Sequence, residues 1–257
     1  MKALGTVYQI LSQCDNGMST IPPTLLYNEG WMLRLLLEWF SKQTASGHPL
    51  GFSKGARWYS EALIPSAFLP MKRGDTLAES WTHADGVIGQ FAIGAKRDTD
   101  LSLLPDSTTF KVLEAKMLSK LSKGTKHAPY FNQAARNIAC IAETLRLANK
   151  NPLSMISVAF YVIAPKTQIE KSLFTKELSR DDIREKVEQR VNDYDTEQKP
   201  DKEKWFKEWF VPTLEKTDVQ SISWEEILDY VSEADAVSGN DMNAFYNKCK
   251  QYNKIEK

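Results

Sequence analysis

The chain has 257 residues, 42% hydrophobic and 26% charged, a balance that excludes disordered and collagen-like classes. Its 33 basic and 33 acidic side chains cancel, so no chain-wide basic field marks a nucleic-acid binder and any basic surface has to be local. Three scattered cysteines, Cys14, Cys140 and Cys249, fit neither a disulfide framework nor zinc spacing and suit a reducing compartment.

The opening stretch "MKALGTVYQILSQCDNG" lacks the apolar core and cleavage site of a signal peptide. The apolar runs fall well short of the roughly 20 residues of a membrane span. The expectation is a soluble cytoplasmic protein with no membrane partner.

Residues 26–43 carry apolar side chains at helical spacing, with Trp31, Leu35 and Trp39 and Leu33, Leu36, Leu37 and Phe40 forming a wide apolar face. "TASGHPLGFSKG" breaks that pattern with Gly and Pro. "ARWYSEALIPSAFLP" is ambiguous, with a helix ending at Pro65 as one reading. "THADGVIGQFAIG" reads as a strand, "DLSLL" as an addition to the strand pair, and "FKVLEAKM" as the next strand. After a polar loop, "YFNQAARNIACIAETLRLANKN" is a helix closed by Asn151-Pro152. "LSMISVAFYVIAP" is a strand whose continuous apolarity places it centrally, covered on both faces.

Beyond Pro165 the chain becomes highly charged and helical in period, a solvated excursion over 166–216. Within it Trp205, Phe206, Trp209 and Phe210 form an aromatic stripe, read as a core or docking face. "DVQSISWEEILDYV" is a short strand and then a helix with Ser223 as N-cap, and "DMNAFYNKCKQYNKIEK" is a helical tail with a frayed end. The expected fold class is α/β, a central mixed sheet flanked by helices in one domain over 1–257. Its core covers about 26–165 plus 218–232.

Two charges inside an apolar strand need a reason. Glu114 and Lys116 alternate onto the same face as Val112. An exposed ion pair on an edge strand would account for an isolated Glu-x-Lys. Here, however, Asp85 opens the preceding strand. In an antiparallel pair the start of one strand lies beside the end of its partner, so the two carboxylates can meet at one end of the hairpin. Close carboxylates repel unless a cation joins them. Oxygen donors with room for water suit Mg²⁺ or Mn²⁺, with the main-chain carbonyl of Ala115 as a further ligand. Such an ion supplies an activated water, and Lys116 beside it stabilises developing negative charge. This is the chemistry of phosphodiester hydrolysis.

Asp85 followed by Glu114-x-Lys116 resembles the PD-(D/E)xK nuclease superfamily, over roughly residues 26–165 and again at "VQSISWEEIL". The resemblance implies a restriction-endonuclease-like core and a metal-dependent nuclease, with DNA a likelier substrate than RNA by analogy and a role in defence or repair. It adds two residues to the catalytic set of Asp85, Glu114 and Lys116. Glu29 matches an acid of the helix before the sheet, a direct or outer metal ligand. Gln133 matches a glutamine of the helix after the Glu-x-Lys strand, one that would orient a metal-bound water or Lys116. Each has a plainer reading: Glu29 as a favourable charge at a helix start, Gln133 as an exposed polar residue.

The literal Pro-Asp, Pro105-Asp106, is not the motif. Eight extended residues separate Asp106 from Glu114, about 26 Å, and "LLPDST" reads as a turn. Asp85 instead follows Ala84. Lys120, Lys123 and Lys126 with His127, and Arg136 on the following helix, form a local basic patch for phosphates, joined by Lys96 and Arg97. His83 shares the face of Asp85, more as a hydrogen-bonding group than as a metal ligand. The alternative function is a catalytically inactive module of the same fold that binds nucleic acid or a protein. A small-molecule hydrolase using the same metal is a third reading. A homodimer is allowed by the sequence without being derivable from it.

Overall fold

Strand formation in this chain follows from where β-branched and aromatic residues can be covered on both sides, and helix formation from capped amphipathic runs. The computed structural model describes residues 2–16, 19–43, 47–70, 73–75, 77–94, 98–124, 128–195 and 197–253. In chain order the elements are α1 (Lys2–Ser12), α2 (Glu29–Ser41), β1 (Arg57–Ile64), β2 (Thr82–Gly89), β3 (Phe91–Ile93), β4 (Leu101–Leu103), β5 (Thr109–Ala115), α3 (Gln133–Leu147) and β6 (Ser157–Ala164). There follow α4 (Lys166–Glu170), α5 (Arg180–Asn192), α6 (Lys199–Trp205), a π-helical turn (Phe206–Phe210), α7 (Val211–Lys216), β7 (Asp218–Ser223), α8 (Trp224–Ala234) and α9 (Ala236–Tyr252).

Five strands form one mixed sheet in the order β1-β2-β5-β6-β7. β1, β2 and β5 pair antiparallel, whereas β5, β6 and β7 run parallel. Parallel neighbours need crossovers. α3 makes the first and α4 to α7 make the second. β6 has a parallel partner on each side and is buried from Val158 to Ala164, as its continuous apolarity requires.

The sheet separates two apolar layers. On one face Val87, Val112 and Phe160 pack with Ile138 and Ile141 of α3 and with Ile183, Val187 and Phe210 of the charged segment. On the other, Ile88, Leu113 and Tyr161 pack with Leu33, Leu36 and Leu37 of α2 and with Trp224 and Leu228 of α8. Three free, buried thiols divide between the layers, Cys140 in the first and Cys14 and Cys249 in the second.

Three expectations change. Residues 57–64 form a strand and not a helix. Trp58 packs with one layer and Tyr59 with the other, so apolar residues on both faces of this edge strand hid its period of two. Glu61 breaks the pattern further by taking left-handed backbone, φ 58°, a sparsely populated region for a residue with a side chain.

"THADGVIGQFAIG" is two strands. The side chain of buried Gln90 accepts from the N–H groups of Thr108 and Thr109 and donates to Ser53 Oγ and Lys54 O. It replaces ladder bonds where the chain leaves the main sheet, and β3 then pairs with β4 in a separate ribbon. Finally, the 166–216 segment is helical but not merely solvated. Trp205, Phe206 and Phe210 are core residues, so the aromatic stripe is the face that docks.

Candidate functional site

The pairing of Gly86 with Leu113 sets Asp85 beside Glu114 across β2 and β5. Asp85 Oδ2 accepts a 2.8 Å hydrogen bond from the N–H of Ala115. Glu114 is only 2% exposed. One of its oxygens, Oε1, lies 2.6 Å from Lys116 Nζ, and the other, Oε2, is buried with no hydrogen-bond partner. Burial first, and then the negative charge of Asp85, push the Glu114 carboxyl up to about 8, against the opposing pull of Lys116. An unsatisfied buried oxygen is costly.

The backbone of Lys116 is fixed at the point where β5 ends. Its N–H donates to Ile163 O at 2.8 Å, and its carbonyl accepts from Trp224 Nε1 at 2.8 Å. β6 and the first residue of α8 therefore hold the lysine at the rim of the sheet. That α8 begins there follows from its capping box, in which Ser223 and Glu226 satisfy each other's backbone N–H groups.

The structure thus brings together Asp85, Glu114 and Lys116, with Ala115 between the last two. The remaining sequence candidates fall elsewhere. Glu29 is in the first turn of α2, whose N-cap is Asn28. Its charge acts on Cys249 of α9; burial, and secondarily Glu29, push that thiol up to about 12. Among the described residues no three His, Cys, Asp or Glu side chains gather around one ion position. The helix of Glu29 packs on the layer of Leu113, whereas Glu114 alternates onto the face of Val112.

Gln133 is the first residue of α3, and it clasps the preceding loop. Its N–H donates to Ser122 O at 3.1 Å, and its Oε1 accepts from the N–H of Ser122 at 3.0 Å. The amide oxygen expected to orient a water or Lys116 is spent on that loop. Its neighbour Asn132 is the N-cap, accepting from the N–H of Ala135.

Lys120 and Lys123 are exposed just after Lys116. Lys126 and His127, like Lys96 and Arg97, lie outside the described residues. Arg136 is drawn toward Glu79, with Nε 3.5 Å from Oε2. His83 is exposed at the start of β2. Asp106 sits in a turn closed by the N–H of Ser107 and Leu104 O, ahead of β5 and so at the end of that strand remote from Glu114.

Sequence reasoning missed Glu79, whose side chain is 5% exposed. It stands in the irregular stretch "GDTLAESW", where no periodicity signals burial.

Two hard oxygen donors, one of them unsatisfied, and an adjacent main-chain carbonyl fit Mg²⁺ or Mn²⁺ better than a soft metal. Asp85, Glu114 and the Ala115 carbonyl are the residues that would hold the ion. Compared with protein-family models, curated proteins and solved structures, the chain finds no match. No helix among the described residues is long and apolar enough to cross a membrane.

Proposed function

We propose that the protein is a divalent-metal-dependent phosphodiester hydrolase acting on nucleic acid, with DNA as the substrate and a restriction-endonuclease-like core of the PD-(D/E)xK type. The observation that carries this reading is the convergence of Asp85, Glu114 and Lys116 at one end of β5, with Glu114 Oε2 unsatisfied. When bound, the ion supplies Lewis-acid polarisation of the scissile phosphate. Asp85 and Glu114 provide its negative ligands. Lys116, with its backbone pinned on two sides, presents an ammonium to the charge that builds on the phosphate in the transition state. Lys120 and Lys123 contribute sequence-independent attraction to the nucleic-acid backbone.

Incubation of supercoiled plasmid with Mg²⁺ or Mn²⁺ tests this. Nicking or linearisation is expected, abolished by chelator and by Asp85→Ala or Glu114→Ala. Lys116→Ala is expected to lower kcat by roughly 10²- to 10³-fold, the usual cost of losing one transition-state charge partner. Cleavage that survives all three substitutions equally would remove the basis for the proposal.

A further inference from the structure

Trp81, Thr82, His83, Gln133, Arg136 and Glu79 line a cavity of about 470 Å³ at the rim of the sheet. It opens where β2 begins. His83 and Asp85 alternate onto one face of that strand, roughly 6.6 Å apart at Cα. Gln133 and Arg136 are three residues apart on α3, hence neighbours on its surface. His83 is two residues from Asp85 on β2, and neither Asp85 nor Glu114 lines the cavity.

Its charged lining residues are Glu79 and Arg136. Glu79 brings a carboxylate, of which one oxygen accepts from the Ser66 hydroxyl and the other lies 3.5 Å from Arg136 Nε. Burial pushes the Glu79 carboxyl up, and Arg136 opposes that shift. Arg136 Nε lies 3.5 Å from this carboxylate as an ion pair, yet it is buried and makes no hydrogen bond. The guanidinium is thus paired by charge alone, with a buried donor left unsatisfied. A planar guanidinium fork matches two oxygens of a phosphate.

We propose that this cavity receives a backbone phosphate of the nucleic-acid strand, neighbouring the one at Asp85 and Glu114. Arg136 contacts it directly, His83 stands at its edge, and Glu79 is a positioning residue that acts through Arg136. The inference rests on reading the adjacent pair as a phosphodiester site.

The test uses the full chain carrying Glu114→Gln, with chelator, and a fluorescein-labelled DNA duplex followed by anisotropy across a KCl series. Adding Arg136→Gln is expected to make the slope of log K against log[KCl] shallower by about 0.9, the signature of one lost phosphate contact. Arg136→Lys should keep the slope, because the charge remains. Glu79→Gln should weaken binding severalfold with the slope unchanged, an effect on placement rather than charge.

In the otherwise unaltered protein, Arg136→Gln should raise KM about tenfold, as for one charged hydrogen bond, while kcat changes little. If Arg136→Gln unfolds by leaving Glu79 unpaired, Glu79→Gln with Arg136→Gln removes both charges and should show the same slope loss. An unchanged slope in folded variants overturns the cavity while metal-dependent cleavage still stands. A slope loss in a protein that never cleaves overturns the hydrolase and leaves the phosphate contact in place. Absence of duplex binding overturns both.

Discussion

A carboxyl group that is 2% exposed and faces a second carboxylate keeps its proton into mildly alkaline solution, and Glu114 has both conditions. Its folded value near 8 lies above the ordinary carboxyl value of 4.5. The native state therefore binds an extra proton between those values, and its contribution to stability is full below the lower value and lost as pH rises through the upper. Thermal unfolding of the metal-free protein should show this loss between about pH 5 and 8. Glu114→Gln, which resembles the protonated acid, should flatten the profile and melt higher than the parent above pH 8. A divalent ion competes with the same proton, so its affinity should rise roughly tenfold per pH unit up to about pH 8. Calorimetric titration at several pH values reads that directly. At this scale the sequence was informative, because Glu114 and Lys116 alternate onto one face whatever the surroundings. Glu79 was illegible, since its burial is created by α3 and by Ser66, which precedes it by thirteen positions.

Between elements, what matters is the registration of β2 against β5, which determines whether Asp85 meets Glu114. The alternation of side chains leaves several registers open. Contacts outside the two strands select one. Gln90 ends β2 by binding Thr108 and Thr109, and Gly89 lies so close to β5 that a Cβ there would sit 2.4 Å from Thr109 O. Gly89→Ala is accordingly expected to destabilise the fold by about 3 kcal/mol, the upper range for overpacking. Urea midpoints measure that cost. Cleavage at a temperature where the variant is still folded reports whether the registration moved: the expected result is a loss of turnover larger than the unfolded fraction explains. Helix ends were easier to foresee than strand ends. Ser223 is a local cap that acts through neighbouring backbone N–H groups, whereas β1 is recognisable only from the two layers it touches.

The molecule as a whole is a mixed sheet with helices on both faces, and the candidate site occupies one rim. The alternating order of helical and strand patterns was sufficient to foresee that class. What it could not supply was the role of residues 166–216, because their charge frequency masks a minority of inward apolar positions such as Ile183 and Val187. Zero formal charge also has a consequence for binding: attraction to nucleic acid has to come from a small number of lysines and arginines, so it should fade within moderate salt.

The three buried thiols offer a way to watch the two layers separately. Alkylation in native buffer should be slow at every cysteine, because a shielded sulfur reacts only when its surroundings open. Cys249 lies in the last turn of α9 and Cys140 inside α3, so the former should be modified first under mild denaturant. Mass spectrometry of each cysteine peptide then acts as a clock for its own half of the protein. Equal rates at both would reveal a single cooperative unit, with no weaker side.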